Sequence, residues 1–459
     1  MVPAPTSRSA AEWRVLAAFG SLGLLNNAGY VIMIAGANEI SQSSVGLVYF
    51  CAIFPTLLVK LTGPYWFHYV SYGARMWASA ALMSAAYTTV AFSQDVEWQL
   101  LGVVLSAVQG GLGEASCLAM CTFFDSRAAI TLWSSGTGFA GVAGYTWVGV
   151  MHTILGFSFA TTLMIANATS VAWLLCYYLL LKPATGAPHR SKSEEEQGFA
   201  ESAAWQEPVV ASEKAPINEN SQASLAGLAA GDALEEGAPV GERLQLLVEE
   251  QPSSAPAPVS NACPGPLAPL AMTHRMHWRE RLQRTLDLWP YMAPLTLVYF
   301  AEYVLQSGAW TAIGFPVDSP DARHTFYTYA NWVYQIGVFT SRSSGLLFQA
   351  DRGVLLAMPL LQVGMLVFFL LVAVFHFMYS WWLLSLCLCT GLLGGAVYVN
   401  AFTLLAKEVE PSLREFSLSA ASLADSVGIA LADICGIMVQ GCLFKANGLT
   451  GAAFKCSTS

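Results

Sequence analysis

Charge is what this sequence has least of. Asp, Glu, Lys and Arg make up 11% of it, against roughly 25% in soluble domains, which is too little to cover a water-facing surface. Lys and Arg total only 21, and no nucleic-acid partner is expected. The seven histidines are scattered, without Ser/His/Asp or metal-ligand spacing, so no catalytic residue, metal or cofactor is expected. Gly110-Gly-Leu-Gly-Glu114 looks like part of a nucleotide fingerprint but lies inside an apolar run, without the strand-turn-helix setting that such a loop needs. The ten cysteines form neither a zinc pattern nor a disulfide framework; most fall inside apolar runs, where a thiol serves as a small packing group.

Apolar length is what the sequence has in abundance. Hydrophobic residues reach 55% and aromatics 12%. Runs long enough to cross ~30 Å of hydrocarbon as helices occur at 14–36, 44–63, 75–93, 99–123, 129–151 and 157–181. After one polar segment come 288–314, 326–345, 353–375, 380–406 and 413–443. The pattern predicts an all-α polytopic membrane protein with about 11 spans, because a helix satisfies its own backbone in lipid. The expected parts are an N-terminal cytosolic segment 1–13, a six-helix bundle 14–182, a disordered cytosolic linker 183–287, a second bundle 288–443 and a tail 444–459. With the N-terminus in the cytosol, all Lys and Arg except Arg323, Lys445 and Lys455 fall on that side or at helix ends facing it, the positive-inside arrangement.

The linker is rich in Ala, Pro, Ser and Glu; from 183 to 271 it holds thirteen acidic and four basic residues, a composition that predicts disorder. Within it, Glu242 followed by Leu246 and Leu247 has the form of an acidic dileucine sorting signal read by clathrin adaptors. Arg275, Arg279, Arg281 and Arg284 then lead into the seventh span, either on anionic lipid or as an ordinary basic flank. Cys456, fourth from the end, has the position of a prenylated cysteine, although an eleven-span topology places it on the far side, away from the enzymes that attach such lipids. Asn167-Ala-Thr169 is a glycosylation triplet inside a span and is expected to be silent.

Polar side chains inside spans are costly and mark candidate sites. Asn26 and Asn27 lie in span one, Glu114 in span four, Glu302 in span seven, Tyr398 and Asn400 in span ten, and Asp425 and Asp433 in span eleven. Spans 1, 4, 7 and 10 lead the repeats of a transporter built from three-helix units and line its central cavity. The competing reading is structural: each group bonds a neighbouring helix. Glu114, Glu302 and Asp425 are candidates for proton coupling or gating, since desolvation disfavours the charged carboxylate. Ser134, Ser135 and Thr137, set among glycines at the start of span five, offer hydroxyls to an anion. Arg342 is the best cationic partner for a phosphate, with Lys60 the second; both also fit the role of snorkelling anchors at helix ends. Gly391-Leu-Leu-Gly-Gly-Ala reads as a close helix contact.

Gly111-Leu-Gly-Glu114, Trp133-Ser-Ser-Gly-Thr-Gly138, Val298-Tyr-Phe-Ala-Glu-Tyr303, Gly337-Val-Phe-Thr-Ser-Arg-Ser-Ser344 and Gly391 through Asn400 closely resemble segments of the battenin family of lysosomal membrane proteins. Asn26-Asn27 and Asp425-Ser-Val-Gly428 fit as well. The resemblance covers nearly all spans and omits the linker and termini. It implies a major-facilitator-like fold of two pseudo-repeated halves, residence in late endosomal, lysosomal or vacuolar membranes, and export of glycerophosphodiesters, with links to organelle pH and basic amino-acid balance. Three features depart from the family: a short first far-side loop at about 37–43, Asp433 where a small residue is usual, and a degraded C-terminal box. The expectation is an alternating-access carrier of small anionic phospholipid-breakdown products, with Arg342, Ser134, Ser135, Asn26, Asn27 and Asn400 as donors. A cationic amino-acid or nucleoside carrier, using the carboxylates directly, is the second reading, and a non-transporting regulator of organelle pH and trafficking the third.

Overall fold

The apolar runs fold as helices whose starts are set by capping side chains. Ser9 and Glu12 form a reciprocal capping box that opens α1 (Ala10–Ala35). The computed structural model describes residues 9–36, 40, 45–181, 276–315, 319–450, 452, 454 and 456. Next come α2 (Val45–Trp66), which keeps Pro55 and Pro64 within it, α3 (Tyr72–Phe92), α4 (Val96–Met120) and α5 (Ser126–Val148). α6 (Phe159–Ala166) and α7 (Ala168–Leu175) form one column broken at Asn167. The second half holds α8 (Trp278–Asp287), α9 (Trp289–Val304), α10 (Pro320–Ser343), α11 (Arg352–Phe375) and α12 (Leu383–Glu408), then α13 (Arg414–Ala421) running into α14 (Leu423–Ala446). Ser71, Asp125, Ser158, Ser319 and Asp351 each accept the backbone N–H that a helix start leaves unpaired.

Among the described residues there are no strands, and seven helical segments are long and apolar enough, by length and composition, to cross a membrane. The two halves repeat one packing scheme. α1 packs most closely on α5 in the first half, and α10 on α12 in the second. Glycine makes both contacts close: a Cβ at Gly136 would collide with the Gly20 carbonyl, and one at Gly391 with the Tyr334 carbonyl. The expected small-residue contact at 391–396 is therefore present, and α1–α5 is its counterpart. Across the halves, α2 packs on α14 and α5 on α10.

Several cross-half bonds gather at the end of the bundle where α1 begins. Tyr72 donates to Glu415 (2.5 Å), Arg127 donates to the Gly345 and Leu346 carbonyls (3.2 and 3.0 Å), and Ser135 bonds Ser343 (2.8 Å).

Two expectations are corrected. Disorder was expected through residue 287, but Trp278–Asp287 form a helix. Its Trp278, Leu282 and Leu286 form an exposed stripe, while buried Arg281 donates to the Pro64 carbonyl (2.5 Å) and contacts the His68 ring. Averaging composition over a hundred residues hides one ten-residue amphipathic period. The second correction is Cys456, which is bonded to Cys442 of α14. Its sulfur is thus already taken, and the site offers nothing to a prenyl group. The Lys445 ammonium donates to the Cys456 carbonyl (3.1 Å), holding the returning segment. The other described cysteines are free, as packing groups would be.

Candidate functional site

Where the halves meet, the helices line a cavity of about 90 Å3. α1 presents Asn26, Asn27 and Tyr30 to it, α2 Thr56 and Lys60, and α4 Glu114; from the second half come Tyr299 and Tyr303 of α9, Arg342 of α10, Tyr398 of α12, and Asp425 and Ser426 of α14. Polar groups from seven helices thus meet inside a bundle whose outer faces are apolar.

Lys60 is the electrostatic centre. It is 1% exposed, and its ammonium lies 2.6 Å from Glu114 Oε2 and 2.9 Å from Asp425 Oδ1. Asp425 Oδ1 also accepts from the Ser426 backbone N–H and hydroxyl. Glu114 Oε1 accepts from the Tyr398 hydroxyl (2.7 Å), toward which the Trp133 indole N–H points (3.4 Å). Lys60, Glu114 and Trp133 belong to the first half, Asp425 and Tyr398 to the second, so this buried network crosses the interface three times. A pair this deep persists because each charge has its partner, since the desolvation cost is otherwise uncompensated.

Arg342 is built differently. Its guanidinium donates to Thr137 Oγ1 and to the Tyr299 hydroxyl, each at 2.5 Å, and lies 4.1 Å from the centre of the Tyr398 ring. Its Nε is buried without a hydrogen-bond partner. No carboxylate among the described residues bonds it. Two hydroxyls and an aromatic face hold the cation in place while leaving its charge open to an anion, and a guanidinium matches a phosphate or carboxylate in plane.

The remaining candidates separate by position. Asn26, Asn27, Glu114, Arg342, Tyr398 and Asp425 are brought together on the cavity wall. Asn26 is largely committed to α4, accepting from Gln109 (3.0 Å) and donating to the Gly110 carbonyl (3.1 Å). Thr137 stands behind Arg342 and positions it, and Ser135 joins the bonds that tie the halves together. Ser134 is buried outside the cavity lining, its hydroxyl without a partner. Asn400, expected to contact substrate, instead clamps backbone: its oxygen accepts from the Ala350 N–H (2.7 Å) and its amide donates to the Ala396 carbonyl (2.9 Å). Those bonds hold the side chain within its own half, and it is not among the residues that line the cavity. Glu302 also lies off the cavity, 2% exposed, with Oε2 unpartnered and facing Gly394, where a Cβ would meet it. Glu242, Leu246 and Leu247 fall outside the described residues.

The sequence reading missed Tyr30, Tyr299 and Tyr303 as lining groups, and it ranked Lys60 second to Arg342. A tyrosine in an apolar run reads as core. The four-residue spacing of Tyr299 and Tyr303 was the available signal, as it puts both on one helix face.

Two halves with matching helix contacts around one polar central cavity are the architecture of a major-facilitator-type fold. Two solved structures share this fold. The human organic anion transporter MFSD10 (TETRAN) superposes with a TM-score of 0.54 at 14% identity, covering 96% of this chain and 98% of that one. The proton:xylose symporter XylE gives 0.56 at 11% identity, with coverages of 96% and 92%. The family model for the CLN3 protein matches residues 17–446, and the chain belongs to that family. It is 32% identical to the Neurospora crassa protein btn-1 over 445 residues, spanning 93% of this chain and 87% of that one. It is 31% identical to battenin of Canis lupus familiaris over 467 residues, spanning 95% and 92%. The fold is thus one shared with these two transporters, and the family is that of the CLN3 protein.

Proposed function

We propose that the protein carries small anionic phosphodiesters, of which the glycerophosphodiesters are the best match, across a lysosomal, late endosomal or vacuolar membrane by alternating access. The observation that carries this reading is Arg342: a buried guanidinium on the cavity wall, oriented by hydroxyls and left without a carboxylate. A phosphodiester brings the one negative charge that Arg342 lacks, and its hydroxyl-bearing ends suit Asn27, Thr56 and the cavity tyrosines. The carboxylates that a cationic amino acid would need are already shared by Lys60, which favours the anion. The cross-half bonds at the α1 end are consistent with a carrier open toward the opposite side, with the N-terminus cytosolic and that end facing the cytosol. Glu242, Leu246 and Leu247 would provide the organelle address through clathrin adaptors.

The test is flux in reconstituted vesicles. Wild-type protein exchanges labelled glycerophosphoglycerol for unlabelled, and Arg342→Lys loses at least about tenfold in apparent affinity, since an ammonium keeps the charge but not the planar fork. Full activity in Arg342→Lys, or exchange of lysine in place of the phosphodiester, would overturn the assignment.

A further inference from the structure

The charges on the cavity wall balance while it is empty. Lys60 and Arg342 oppose Glu114 and Asp425, all four at least nine-tenths buried. The balance is uneven in space: one ammonium serves two carboxylates, giving the Lys60 cluster a net −1, and Arg342 holds the compensating +1 without an ion pair, Glu302 lying off the cavity and not bonded to it. A monoanion bound at Arg342 consumes that positive charge and leaves the cavity at −1. In a low-dielectric setting an uncompensated charge is strongly disfavoured, so the loaded carrier gains from taking up one cation.

Position within the halves singles out the acceptor. Lys60 and Glu114 sit on α2 and α4 of the same half, and their 2.6 Å pair survives alone as a neutral unit. Asp425 sits on α14 of the other half, and its 2.9 Å bond to Lys60 is one of the ties across the interface. Ser426 donates to the same carboxylate, and Tyr299 and Tyr398 are the titratable groups near it on α9 and α12. Neutralising Glu114 would leave the cross-half ion pair in place. Neutralising Asp425 restores the charge balance and also removes the ionic tie that holds the halves together.

We propose that one proton travels with each monoanionic substrate, carried on Asp425, so that the cycle moves no net charge and the cross-half tie is released only in the loaded, protonated carrier. This rests on the phosphodiester reading above and adds to it the ion and the stoichiometry.

The experiment uses wild-type protein in vesicles with labelled glycerophosphoglycerol, which carries a single negative charge. An imposed pH gradient, with the potential clamped by potassium and valinomycin, is expected to drive accumulation of about tenfold per pH unit, since each proton moves with one anion. An imposed potential of 100 mV without a pH gradient is expected to leave accumulation unchanged; one uncompensated charge would instead give about 50-fold. Asp425→Asn is expected to lose the response to the pH gradient, and Glu302→Gln, off the cavity, to keep it. Potential-driven uptake by the wild type, or a retained pH response in Asp425→Asn, would overturn the proposal while leaving phosphodiester transport standing. No phosphodiester flux at all would overturn both.

Discussion

Replacing Lys60 with methionine is the sharpest perturbation of this structure. The side chain is 1% exposed and makes two ion pairs, at 2.6 and 2.9 Å. Methionine fills a similar volume, so packing is nearly kept, while Glu114 and Asp425 are left facing each other without a cation. Removing one partner from a buried ion pair typically costs about 3–5 kcal/mol, and the upper part of that range applies because two carboxylates are stranded. Adding Glu114→Gln and Asp425→Asn removes the stranded charges, so the triple variant is expected to regain most of the loss. Such non-additivity is the mark of groups that act as one unit. The assay is thermal unfolding of the purified protein in detergent, followed by tryptophan fluorescence, for wild type, single and triple variants side by side. A Lys60→Met melting point equal to wild type, or a triple variant no better than the single, would refute the buried-network reasoning.

Two further outcomes follow from other parts of the fold. Gly136→Leu and Gly391→Leu each place a side chain against a backbone carbonyl of the neighbouring helix, so both are expected to lose the monodisperse peak on size exclusion, whereas Gly364→Leu, with open space around its Cβ position, keeps it. Peptide mapping without reductant is expected to recover Cys442 and Cys456 as one linked fragment that separates on reduction; free thiols at both positions in freshly purified protein would contradict the pairing.

Depth in the membrane was legible from the residues, and direction around each helix was not. Apolar runs locate helices along the chain, and each run from 14–36 to 413–443 overlaps a helical segment. A polar residue inside a run marks something unusual at that depth, which is how Glu114, Arg342, Tyr398 and Asp425 were found. It does not reveal which way the side chain points. Asn400 lies two residues beyond Tyr398, about 200° around the helix, so one lines the cavity while the other binds backbone. Lys60 was undervalued for a related reason: a lysine near a helix end usually reaches toward water, and only the arrival of α4 and α14 beside it turns it inward. The Cys442–Cys456 bond depends on a chain reversal after α14 that no periodicity announces.

That bond has a consequence for how the molecule is made. Disulfides form and persist in oxidising compartments and are rare in the cytosol. The pair therefore closes only if the end of α14 and the residues after it have been delivered to the oxidising face of the membrane. A chain whose final helix failed to insert, or inserted backwards, would leave both sulfurs in a reducing medium as free thiols. The redox state of these two cysteines thus serves as a record of insertion: alkylation with a mass-tagged maleimide during synthesis would separate completed molecules from stalled ones, without reference to transport.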